Sequence, residues 1–234
     1  MYIRSVRRRL VLFDIDGTLI TDGGAARDAF AMALRAVFGY EGRLQRYDFS
    51  GRTDPQITRM ILRDEGLSDS EVDVRLGALF RTYLDALRER ATADRVRSLP
   101  GIEPLLEALH ADSAVTLGLL TGNLEEGARL KLDPPGLNRY FPFGAFGSDA
   151  EERDKLPPIA VQRAERLDGH RFAGQDVVII GDSIYDIRCG VPHGATTIAI
   201  ASGKTSAETL RAENPRHFFE SAEDLGALLH AILG

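Results

Sequence analysis

Val11-Leu12-Phe13-Asp14-Ile15-Asp16-Gly17-Thr18 closes an apolar run on two carboxylates one residue apart. Side chains at i and i+2 of a strand share a face, so a strand carried to this point projects Asp14 and Asp16 into one crevice. Open α/β sheets bind ligands at such carboxyl ends. Two acids held this close raise the free energy unless a cation neutralises them or a proton is shared. A Mg2+ ion held by carboxylate and carbonyl oxygens, together with a substrate phosphate, would supply that compensation. The same residues also read as an acidic turn in which Asp16 bonds its own backbone near Gly17.

Outward from this stretch, short apolar runs alternate with helix-period segments, which predicts βαβ units and a parallel sheet. The runs are Arg9 to Ile15, Val115 to Thr121, Asp176 to Gly181 and Thr196 to Ala201, with a weaker one at His217 to Phe219. Phe143 to Phe146 is ambiguous. About 100 residues separate the first two runs, far more than a crossover helix needs. Leu76, Leu79, Phe80, Tyr83, Leu84 and Leu87 recur at helical spacing within that interval, with Ser68 and Glu71 as a capping box. A second helix is expected from about Ala25 to Phe38, ending at Gly39. A third should start with Asp54 as N-cap and Pro55 at the first helical position. The insertion is therefore all-helical over 23–91, with Asp22-Gly23-Gly24 and Ala91 to Asp94 as hinges. Residues 1–22 and 92–234 form the α/β core.

Three further segments carry chemistry. Thr121-Gly122-Asn123 ends the second long run, where a hydroxyl and loop amides can meet phosphate oxygens. Asn123 with Glu126 also reads as an ordinary helix cap. Lys155 precedes Pro157-Pro158 at a helix start, where its ammonium opposes the helix dipole. The chain holds three lysines against 26 arginines, so Lys155 marks a place where a compact point charge suits the chemistry. Lys131 and Lys204 read as ordinary lysines. Gly181-Asp182-Ser183-Ile184-Tyr185-Asp186 gives a second acidic pair, Asp182 at a strand end and Asp186 one turn into the next helix. Its plainer reading makes Asp182 or Ser183 an N-cap and Asp186 a partner of the helix dipole.

Together these segments resemble the haloacid dehalogenase superfamily, specifically its phosphatase branch with a helical cap inserted after the first strand. Phosphoglycolate phosphatases are similar in overall pattern. The four motifs occur in family order and span essentially the whole chain. The resemblance implies a doubly wound, Rossmann-like parallel sheet and a phosphoric monoester hydrolase acting on a small phosphorylated metabolite. It assigns Asp14 as nucleophile and Asp16 as general acid and base. The magnesium ligands would be Asp14, the backbone carbonyl of Asp16, and Asp182, with Asp186 in support. Thr121, Gly122, Asn123 and Lys155 would bind the phosphoryl group. In the cap, the polar loop from Phe49 to Asp54 would face the site, and Arg52 would select a substrate anion or else lie in a solvated loop.

Asp16 argues against dehalogenation, since dehalogenases of the superfamily use no second acid there. The absence of lysine from residues 23–91 argues against a Schiff-base phosphonate hydrolase. A sugar-phosphate mutase on the same core and a non-catalytic phospholigand-binding protein remain as alternatives. Net charge is −6 with pI near 5.4, which excludes the basic footprint of a nucleic-acid binder. Arg7-Arg8-Arg9 reads as a solvated strand entrance rather than an anion patch. At 44% hydrophobic and 27% charged the chain reads as an ordinary globular protein, with no stretch near a membrane span. One cysteine, Cys189, excludes an internal disulfide. His110, His170, His193, His217 and His230 lack metal-ligand spacing. A cytoplasmic monomer or homodimer is expected.

Overall fold

The computed structural model describes residues 7–234. β1 (Arg9–Phe13) leads through a two-residue strand, β2 (Ile20–Thr21), into three helices, α1 (Ala25–Phe38), α2 (Asp54–Asp64) and α3 (Asp69–Arg90). The chain returns through β3 (Arg97–Ser98), then α4 (Ile102–Ala111), β4 (Val115–Leu120), α5 (Glu125–Leu132), β5 (Gly144–Ala145), α6 (Leu156–Asp168) and β6 (Val177–Gly181). It finishes with α7 (Ile184–Gly190), β7 (Thr196–Ile200), α8 (Ala207–Ala212), β8 (His217–Phe219) and α9 (Leu225–Leu233).

Six strands form one parallel sheet in the order β5-β4-β1-β6-β7-β8. Every residue of β1 is buried, which its unbroken apolar run anticipates for a strand covered on both faces. Its side chains divide between the two faces. Val11 and Phe13 pack with Ile102, Leu105 and Leu109 of α4 and with Leu228 and Ile232 of α9. Leu10 and Leu12 pack with Leu156, Ala160 and Ala164 of α6 and with Cys189. Each valine, leucine, isoleucine or phenylalanine among them contributes about 1.5–3 kcal/mol on removal from water. The doubly wound expectation is met. After β5 the chain crosses to the other side of β1, so the switch point lies where β1 and β6 end, and Asp14 and Asp182 directly follow those two strands.

A separate apolar cluster joins the three helices between β2 and β3. Ala29, Phe30 and Leu34 of α1 meet Ile57 and Ile61 of α2 and Leu79, Tyr83 and Leu87 of α3, with Leu124 entering from the sheet side. Phe30 and Tyr83 meet edge to face, centroids 5.3 Å apart. Gly39 ends α1 in the left-handed region at φ 68°, and Ser68 with Glu71 forms the capping box of α3.

Local readings fail where partners come from far along the chain. Thr53, not Asp54, caps α2, in a box with Gln56. Asn123 does not cap α5. The Asp54 carboxylate instead accepts from Leu124 N at 2.9 Å, and Ser148 Oγ accepts from Glu125 N at 3.2 Å. The antiparallel pair β2 and β3, joining the entrance and exit of the helical segment, is too short to show a pattern. Phe143 to Phe146 resolves into the edge strand β5. The arginine run is paired rather than freely solvated: Arg7 with Asp176 and Arg8 with Asp168, each at 2.5 Å, while Arg9 donates to Gln175 O and Gly234 O.

Candidate active site

β1 stops at Phe13, one residue before the first carboxylate. The backbone then closes a tight turn, with Leu19 N donating to Ile15 O and Gly17 N to Ile20 O at 2.9 Å each. Gly17 sits at φ 83°, and a Cβ there would lie 2.6 Å from Asp182 Oδ2, so both the turn and the neighbouring acid require glycine. Asp14 and Asp16 do line one cavity of about 430 Å³, but this turn brings Asp16 there, not strand alternation.

Asp14 is 5% exposed. Arg153 Nη2 donates to Asp14 Oδ1 at 3.1 Å, to Leu120 O at 3.2 Å and to Asp186 Oδ1. Asp186 also completes a capping box with Ser183 at the start of α7, so the plain reading of that segment holds alongside the functional one. The carboxylates of Asp14, Asp182 and Asp186 offer oxygens within 4.8 Å of one another, all buried. Burial raises the Asp14 carboxyl above its ordinary range, opposed by Arg153. Asp182 is pushed well above it by burial and then by the charges of Asp14 and Asp186. Among the described residues its one side-chain hydrogen bond is from Thr18 Oγ1, at 2.9 Å. A buried carboxylate with two acidic neighbours and no cationic partner suits a divalent metal ion. The carboxylates of Asp14, Asp182 and Asp186 fit magnesium, while the Asp16 carboxylate, whose residue was expected to contribute only its backbone carbonyl, bonds Lys131 and Asn123.

A family model for haloacid dehalogenase-like hydrolases matches residues 8–194. The chain belongs to the haloacid dehalogenase-like hydrolases. A phosphoglycolate phosphatase of Vibrio parahaemolyticus is 26% identical over 220 residues, covering 93% of this chain and 94% of that one. Another, from Pseudomonas fluorescens, is 27% identical over 212 residues, 88% of this chain and 74% of that one. A hydrolase from Pseudomonas syringae shares the fold with a TM-score of 0.72 at 22% identity, over 96% of this chain and 99% of that one.

In this hydrolase Asp16 has surroundings unlike those of Asp14. Its Oδ2 accepts from Lys131 Nζ at 2.7 Å and from Asn123 Nδ2 at 2.8 Å. Lys131 also donates to Asn123 Oδ1 at 2.6 Å, and Asn123 Nδ2 to Thr121 Oγ1 at 2.8 Å. The Asp16 side chain keeps 40% of its surface exposed, against 7% for Asp14. Its carboxyl is raised by the crevice's desolvation, opposed by Lys131. Thr121 and Gly122 line the cavity with Asn123, but Gly122 also admits the helical segment. Its carbonyl accepts from Asp54 N at 2.8 Å, and a Cβ on it would stand 2.0 Å from Arg52 O.

Lys155 is not in the site. Its side chain is 62% exposed and pairs with Glu152 at 2.6 Å, away from the residues that line the cavity. Arg153–Lys155 is a single 3-10 turn before α6, in which positions two apart point roughly 120° apart. Arg153 therefore turns inward, 4% exposed, and Lys155 turns out. Sequence reasoning missed Arg153 because the proline pattern drew attention to the lysine, and missed Lys131 because its partner lies in another segment. Arg52 lines the cavity, its guanidinium 5.2 Å from the Tyr185 ring and its Nε buried without a partner. Phe30, Phe49, Ile57 and Tyr83 complete the wall opposite the sheet.

Proposed function

We propose that this hydrolase is a magnesium-dependent phosphatase that cleaves a small phosphorylated metabolite through a phospho-aspartate on Asp14. The observation that carries the reading is the division of labour between two neighbouring acids. Asp14 is sealed and oriented by Arg153, as an attacking oxygen needs to be. Asp16 is open to the cavity, as a group that trades protons with a leaving oxygen and then with water needs to be. Asp14 attacks phosphorus, Asp16 protonates the departing ester oxygen, and Asp16 later takes a proton from the water that cleaves the acyl phosphate. Arg153 and the Thr121 hydroxyl bind the transferring group. Magnesium held by Asp14, Asp182 and Asp186 would neutralise charge on the phosphoryl oxygens.

In this reading residues 23–91 are the cap and the remainder is the cytoplasmic enzyme's core. Supporting it, Thr53 Oγ1 donates to Glu151 O at 2.6 Å and Arg153 Nη1 to Gly51 O at 3.2 Å, so the loop before α2 closes directly over the nucleophile. The relatives named phosphoglycolate phosphatases, together with Arg52 in the cavity wall, support a substrate with a second anionic group. The test is hydrolysis of an aryl phosphate and of phosphorylated carboxylic acids by the purified chain. Activity should vanish on chelation and return with magnesium, and calcium, with its looser shell, should restore it poorly. Arg52→Ala should raise KM for the best acid by about tenfold to a hundredfold while sparing the aryl phosphate. Full activity after exhaustive chelation would sink the reading.

A further inference from the structure

Phosphoryl transfer at Asp14 accounts for Arg153 and the acidic triad, but not for Lys131. This lysine, on α5, is 3% exposed, and burying an ammonium is costly unless its hydrogen bonds are well made. Its two hydrogen bonds go to Asp16 Oδ2 and Asn123 Oδ1. Asn123 in turn donates to the same Asp16 oxygen and to Thr121. Both donors thus fix one oxygen of Asp16, and among the described residues no side-chain donor reaches Oδ1.

We propose that Lys131 is a positioning residue for proton transfer: clamped with Asn123 on Oδ2 of Asp16, it holds Oδ1 toward the ester oxygen. The proposal rests on the reading of Asp16 as general acid and base. As the Asp14 oxygen bonds to phosphorus and the bond from phosphorus to the ester oxygen breaks, the proton on Asp16 Oδ1 passes to that oxygen, which leaves as an alcohol. In the second step a water oxygen bonds to phosphorus and its proton goes to Asp16 Oδ1. The Asp14 carboxylate and inorganic phosphate are released. Lys131 itself touches neither the nucleophile, the metal-binding carboxylates nor the Thr121 hydroxyl, so its loss should disturb only steps that move this proton.

The experiment compares two substrates of the magnesium-loaded enzyme, glycerol phosphate, whose alkoxide needs a proton to leave, and dinitrophenyl phosphate, whose phenolate does not. Because kcat/KM reports only the steps up to departure of the leaving group, Lys131→Met should lower it about a hundredfold for glycerol phosphate and no more than about threefold for dinitrophenyl phosphate. The latter should show a burst of dinitrophenol, since phosphoenzyme forms normally and then waits for its base. Inhibition by orthophosphate should be unchanged. Asp16→Asn serves as the reference and should give the same signature. If Asp16→Asn shows no leaving-group dependence, the reading of Asp16 fails and this inference with it. If Asp16→Asn shows it and Lys131→Met loses both substrates in parallel, or neither, the positioning role alone is overturned. Should Lys131→Met not fold by circular dichroism, Lys131→Met with Asp54→Asn removes one of the carboxylates facing the ammonium and is tested in the same way. If that variant also fails to fold, Lys131 is a structural counter-ion and the proposal falls.

Discussion

Asp14 and Asp16 are separated by one residue, yet each is held by its own buried cation from a different part of the chain. Arg153, in the turn before α6, grips Asp14 together with Asp186, while Lys131, on α5, grips Asp16 together with Asn123. Two adjacent carboxylates sharing one counter-ion would act as a coupled pair with one proton between them. Separate partners let one be sealed at 7% exposure and the other stay open at 40%. Difference in surroundings, not in residue type, is what allows two aspartates to take unlike tasks.

The sharpest way to break the comparison is to neutralise each acid in turn. Asp14→Asn should abolish turnover of every phosphate by about a thousandfold or more with the fold intact. Asp16→Asn should be severely slow overall yet accumulate a phosphoenzyme visible by intact mass with a good leaving group. Substantial turnover in pure, folded Asp14→Asn would show that the sealed acid is not the nucleophile.

The next test concerns the cations. Arg153→Met leaves Asp14 and Asp186 buried without their partner, a loss of about 3–5 kcal/mol in comparable pairs. Turnover of the folded variant should also fall about a hundredfold to a thousandfold on all substrates, because Asp14 loses its orienting donor and the phosphoryl group its cation. Lys155→Ala, removing a solvated charge paired with Glu152, should stay within about twofold. A reversed ranking would return the anionic group to Lys155.

The last test reads stability rather than turnover and concerns Asp54, a carboxylate near Lys131 that has no part in the proposed chemistry. Burial pushes its carboxyl up to about 6, opposed by Lys131 and by its bond from Leu124 N. Between the usual carboxylate range near 4 and this value, the folded chain binds more protons than the unfolded one. This group's contribution therefore turns unfavourable as pH rises through that window. Asp54→Asn keeps an oxygen for Leu124 N and removes the charge. Each tenfold difference in proton affinity between the folded and unfolded chain is worth about 1.4 kcal/mol, so the variant should be more stable by up to about 3 kcal/mol near pH 7 and gain nothing near pH 4. Urea unfolding at the two pH values measures it, and an equal effect at both would mean that the Asp54 carboxyl is no harder to ionise in the folded chain than in the unfolded one.

Elements governed by local hydrogen bonds and by hydrophobic period were legible in the chain itself. The apolar run of β1 announced a strand of a parallel sheet, the spacing from Leu76 to Leu87 announced α3, and Ser68 with Glu71 and Gly39 marked helix ends that the structure places at those residues. The pairing of an acidic strand end at Asp14 with a second at Asp182 was equally visible, because strand ends in a parallel sheet converge at the switch point. What only the tertiary structure decided was which cation meets which acid. Whether Arg153 or Lys155 turns inward depends on one 3-10 turn, and Lys131 reaches Asp16 across 115 positions of sequence. Asn123 and Asp54 abandon the helix caps that their local sequence favours for partners 107 and 70 residues away. Local propensity is set by a residue's neighbours in the chain, whereas a buried charge is stable only where the folded core supplies its counter-charge, and that information resides in no single segment.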